Sequence, residues 1–75
     1  MTTRQANHLV SIALQQATHK HPPFPSTHHG YAAILEELDE LWDHVTQRSP
    51  SPSALKTEAT HVAAMAIRFL IDLCE

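Results

Sequence analysis

"EATHVAAMAIRFLIDL", residues 58–73, carries apolar side chains on almost every side of any helix drawn through it. Ala59, Val62, Ala63, Ala64, Met65, Ala66, Ile67, Phe69, Leu70, Ile71 and Leu73 leave little surface for water. A helix apolar all round is a central helix, covered on most faces by neighbours. The rest of the chain must therefore supply that cover, and it is short: 75 residues in all, read as a single domain over residues 1–75.

The segments around it are set by proline. All five prolines fall in two stretches, Pro22–Pro25 and Pro50–Pro52, and proline removes an amide donor while biasing the residue before it toward extended conformations. The first segment places Ala6, Leu9, Val10, Ala13, Leu14 and Ala17 at helical spacing, with Ile12 off the stripe. In the second, Tyr31, Ile34, Leu35, Leu38, Leu41, Trp42 and Val45 follow a three-four repeat suited to packing against other helices. Ser26 or Thr27 suits the start of the second helix and Ser51 or Ser53 that of the third. The spacing predicts an all-α protomer with helices over about 3–20, 27–47 and 53–74. Three helices of this length cannot cover the third one. A single small core supplies only about 3–5 kcal/mol, and Cys74 is the only cysteine, so no disulfide can form within the chain. A homo-oligomer, dimer or tetramer, whose protomers pair into a larger helical bundle is the expected remedy.

Composition narrows the classes of function. The net charge is −3, and Arg4, Lys20, Arg48, Lys56 and Arg68 are scattered, so no basic stripe marks a nucleic-acid partner. No apolar run approaches the ~20 residues of a bilayer span, and "MTTRQANHLV" lacks the pattern of a signal peptide. A cytoplasmic protein with no membrane partner is expected. Its seven histidines are dispersed rather than clustered into a metal-binding tract.

The chemistry lies in charges that the helical pattern does not send to solvent. At ~100° per residue, Glu58, His61, Arg68 and Asp72 share an arc of roughly 80° on the otherwise apolar third helix. Buried charges persist when paired, hydrogen-bonded or bound to metal. Arg68 and Asp72, four apart, suit an ion pair; Glu58 and His61, three apart, suit a hydrogen bond or a shared ligand. In "EELDELWDHV", residues 36–45, Glu37 flanks the apolar seam and Glu40 stands beside it, while Glu36, Asp39 and Asp43 project outward. An antiparallel hairpin would bring Glu37 and Glu40 against Glu58 and His61. Carboxylates so placed repel by about 3 kcal/mol per pair at ~5 Å and an effective dielectric of ~20. Such a group needs a cation, a shared proton or Arg68. Oxygen ligands favour Mg²⁺ or Mn²⁺, and an imidazole moves the preference toward Mn, Fe or Zn.

"GYAAILEELDELWDHV" followed after a short loop by "EATHVAAMAIRFLIDL" resembles the all-α nucleoside triphosphate pyrophosphohydrolases of the MazG-like superfamily, in particular their small bacteriophage versions. The resemblance covers about residues 24–73. That family's first motif, E-E-x-x-E, is matched by Glu36, Glu37 and Glu40; its second, E-x-x-D, begins at Glu58 and has His61 where the family usually has aspartate. The resemblance implies Glu37, Glu40, Glu58 and His61 as ligands of Mg²⁺ or Mn²⁺, with Glu37 or Glu40 as the catalytic base. It implies hydrolysis of a nucleoside triphosphate to its monophosphate and pyrophosphate, in an oligomer, within the host cytoplasm if the chain is phage-encoded. Substrate contacts are then expected from Arg68, the one basic group on the stripe, with its neighbour Asp72, and from an aromatic such as Trp42, Phe24 or Tyr31. Two other readings use the same residues. Glu40 or Glu37 with Glu58 and His61, doubled by a two-fold axis, is the ligand set of di-iron carboxylate bundles. A non-catalytic interaction module, with His61 paired to Glu58 or Asp72, accounts for the stripe without any metal.

Overall fold

Each helix begins where a hydroxyl side chain can accept its free amides. Thr2 and Gln5 form a reciprocal capping box at the start of α1 (Thr3–Lys20): the Gln5 amide donates to Thr2 Oγ1 at 3.1 Å, and the Thr2 amide to Gln5 Oε1 at 2.8 Å. Ser26 caps α2 (Thr27–Val45), accepting from the His29 amide at 3.2 Å. Ser51 caps α3 (Pro52–Leu73), with Pro52 in the first turn, where a missing N–H costs nothing. The computed structural model describes all 75 residues, and its three helices are its only regular elements.

The helix ends follow from equally local causes. His21 precedes Pro22 and adopts the extended conformation expected there, which stops α1. Expected to reach residue 47, α2 ends two residues earlier. Thr46, the C-cap, donates both its amide, at 3.0 Å, and its hydroxyl, at 2.9 Å, to the Trp42 carbonyl. Beyond it, Gln47 to Ser51 form the short connection to α3.

Both α1 and α2 pack against α3, and they do not pack against each other. The third helix is thus central, as its composition requires. Where the first turn of α2 meets the last turns of α3, the backbones come close enough that Gly30 is buried. A Cβ there would lie 2.6 Å from Phe69 Cδ2 and 2.7 Å from Leu73 Cδ1. Only a residue without a side chain allows this approach.

A polar tie holds the proline loop onto α3. Arg68, 4% exposed, donates through Nη2 to the Pro22 carbonyl at 2.7 Å and lies over the Phe24 ring, 4.4 Å from its centroid. Asp72 Oδ2 stands 3.9 Å from Arg68 Nη2 and accepts the Phe24 amide at 3.0 Å. Arg68 and Asp72 thereby join two parts of the chain more than forty residues apart.

Cover remains incomplete. Only Gly30, Ala64 and Arg68 are buried. Tyr31, Leu35, Leu38, Trp42 and Val45 form an exposed row along α2, and Leu70 and Ile71 are exposed on α3. The α2 row repeats at intervals of four, three, four and three residues, the spacing of a coiled-coil seam.

Candidate metal centre

The antiparallel packing of α2 on α3 determines which acidic groups meet. Gly30, Ala33, Ile34, Glu37, Leu41 and His44 are the α2 residues drawn from solvent in the protomer, at the spacing of one helix face. Glu37 therefore faces α3, where Glu58 and His61 occupy adjacent turns. His61 Nδ1 lies 3.5 Å from Glu37 Oε2 and 3.8 Å from Glu58 Oε2, and one donor atom from each of the three falls within 4.8 Å of the others.

Those separations are too long for hydrogen bonds. Glu37 Oε2 and Glu58 Oε2 are both buried and have no hydrogen-bond partner. The side chains are 23% and 16% exposed, against 44% for His61, so the imidazole forms the open side of the group. A buried acceptor left unmatched costs about 1–3 kcal/mol, more when charged. Two such oxygens aimed at one imidazole nitrogen are a costly arrangement for a purely structural contact. A divalent cation among them would satisfy both.

Electrostatics agree with the geometry. Burial and repulsion from Glu40 hold the Glu37 carboxyl above the usual glutamate range, Glu58 adds to the effect, and His61 opposes it.

The remaining candidates are placed differently. Glu40 is exposed at the rim, beside Glu37 but outside the converging three. Arg68 and Asp72 are engaged in the tie to Pro22 and Phe24 described above. Trp42 is 63% exposed on the row along α2, lining a depression of about 350 Å³ with Leu38, Leu41 and Val45 that includes none of the three converging residues. Glu36, Asp39 and Asp43 are exposed, as the helical projection expects.

A cavity of about 200 Å³ adjoins the group, lined by Glu37 and His61, by Gln16 and Lys20 from α1, and by His21 just beyond its end. Lys20 and His21 were not singled out by the sequence reading. The signal was the position of α1's last turn, which follows only from how α1 crosses α3. No family model, curated protein or solved structure matches the chain.

Proposed function

We propose that the protein is a metal-dependent nucleoside triphosphate pyrophosphohydrolase of MazG-like type, with Glu37, Glu58 and His61 as the ligands of the essential cation. The observation that carries this reading is the pair of buried, partnerless carboxylate oxygens converging on one imidazole nitrogen. Two glutamates and a neutral imidazole suit Mn²⁺, or Mg²⁺ with water completing its shell. When bound, such an ion would supply Lewis-acid polarisation of a phosphoryl oxygen. Glu40, exposed beside Glu37 and not one of the three, is the carboxylate left to take the proton from a water attacking the α-phosphorus. The products are the monophosphate and pyrophosphate.

The test is incubation of metal-replete protein with each common ribo- and deoxyribonucleoside triphosphate, with separation of the products. The reading expects monophosphate and pyrophosphate in equal amounts, dependent on Mn²⁺ or Mg²⁺ and absent in Glu37→Ala and Glu58→Ala. Intact nucleotides in every reaction would refute it. The imidazole in the group also supports an iron reading, in which a second copy completes a di-iron set. Aerobic loading with Fe²⁺ distinguishes the two, because only the di-iron centre gains an oxidation-linked absorbance.

The same reading includes a homo-oligomer. The protomer exposes 5654 Å², whereas a folded monomer of 8.4 kDa is expected to expose roughly 4,600 Å². The excess, about 1,000 Å², is of the order that one partner contributes to a standard interface, roughly 800 Å². The row Tyr31, Leu35, Leu38, Trp42, Val45 supplies a seam for a second copy, which gives Trp42 a role in assembly rather than in holding a base. Light scattering should find a dimer or larger assembly that Leu38→Lys dissociates. A monomer at micromolar concentration would contradict the assembly.

A further inference from the structure

We propose that Lys20, at the carboxyl end of α1, binds the phosphate chain of the nucleotide. This inference rests on the hydrolase reading above and adds to it the residue that recognises the substrate's charge.

The placement of the cations decides between candidates. Lys20 shares the 200 Å³ cavity with Glu37 and His61, and it takes part in none of the molecule's ion pairs. Arg68 is held by Pro22, Phe24 and Asp72. Lys56 lies beside a different cavity, which reaches His61 but neither glutamate. Of the five Lys and Arg residues, Lys20 is the one that lines the cavity shared by Glu37 and His61.

Charge counting gives it a task. Two carboxylates cancel a divalent cation, and neutral His61 adds nothing, so the loaded centre has little net attraction for a polyphosphate. The chain as a whole carries −3, and the last carbonyls of α1 would repel an anion placed at its end. An ammonium at that end reverses the local sign. Fully buried Ala64 also borders this cavity. A larger groove of about 760 Å³ begins at the same Gln16, Lys20 and His21 and runs past Pro23 to Ile71. Its volume lies within the range of small-molecule sites. Lys20 thus stands where phosphates at the metal would meet a nucleoside lying in the groove.

The test is isothermal titration with the α,β-methylene analogues of the four deoxynucleoside triphosphates in excess Mn²⁺, on wild type, Lys20→Gln, Lys20→Arg and Lys56→Gln. Melting with Mn²⁺ alone is recorded for each. Loss of a charge-assisted contact predicts about ten- to a hundredfold weaker binding in Lys20→Gln, with recovery in Lys20→Arg, wild-type affinity in Lys56→Gln and equal Mn²⁺-induced melting shifts in all four proteins. Wild-type affinity in Lys20→Gln, equal weakening in Lys56→Gln, or no binding of any analogue to wild type would overturn the inference. Absence of a Mn²⁺ shift in wild type would instead refute the metal centre, and Lys20-dependent analogue binding would then still uphold the role of Lys20.

Discussion

Replacing Glu37 by glutamine should make the metal-free protein more stable and make it indifferent to metal. The Glu37 and Glu58 oxygens lie within 4.8 Å of each other. At an effective dielectric of ~20, two full charges at that distance repel by about 3.5 kcal/mol. Residual exposure and the attraction of His61 reduce the net gain to about 1–2 kcal/mol at neutral pH. In a chain of this length that corresponds to a rise in melting temperature of roughly 4–16 °C. The pH dependence fixes the sign independently. Because the folded protein holds the Glu37 proton more tightly than the unfolded chain, Glu37 favours folding fully below about pH 4.5. That contribution fades as pH rises through the raised folded value. Metal-free wild type should therefore lose stability on going from mildly acidic to neutral pH, and Glu37→Gln should show less of that slope. With Mn²⁺ at a hundredfold excess over its dissociation constant, wild type should gain about 2.7 kcal/mol, whereas the variant should gain almost nothing. Thermal melts at several pH values, with and without Mn²⁺, give all of these quantities. A variant less stable than wild type without metal, or one that keeps the Mn²⁺ response, would refute the reasoning.

Other substitutions examine the frame that positions the centre. Arg68→Ala should destabilise the fold by about 2–4 kcal/mol, since it removes the donor to Pro22 and leaves Asp72 with a single partner; an unchanged urea midpoint would mean the tie contributes nothing. Gly30→Ala introduces a methyl against Phe69 and Leu73. The crowding, about 1–3 kcal/mol, should outweigh the better helix propensity of alanine, about 1 kcal/mol, giving a net loss that a urea titration resolves and that a stabilised variant would contradict. Thr2→Ala removes the capping box and should cost about 1 kcal/mol, read as weaker amide-exchange protection confined to the first turns of α1.

Much of the framework was legible in the sequence because it rests on local rules. Prolines 22–25 and 50–52 separate the helices, Ser26 and Ser51 begin two of them, and the all-round apolar character of residues 58–73 identifies the central one. The meeting of Glu37 with Glu58 and His61 was also legible, because helical periodicity turns both toward one seam and a short connection makes their helices antiparallel. Other features depend on three-dimensional placement that periodicity does not carry. Arg68 lies on the polar stripe, as projection indicates, yet it turns to a carbonyl in the proline loop that no helical wheel contains. Glu40 projects next to the seam but stays at the rim. Lys20 and His21 reach the cavity because α1 packs on α3, and Gly30 reads as a weak point in a helix until Phe69 and Leu73 are seen against it.

The central claim is that Glu37, Glu58 and His61 hold one divalent cation, and electron paramagnetic resonance of Mn²⁺ titrated into metal-stripped protein tests it most directly. The account predicts loss of the free-ion signal up to one Mn²⁺ per protomer in wild type and none of that binding in Glu58→Ala. A free-ion signal that grows in wild type from the first addition, or equal binding in Glu58→Ala, would contradict it.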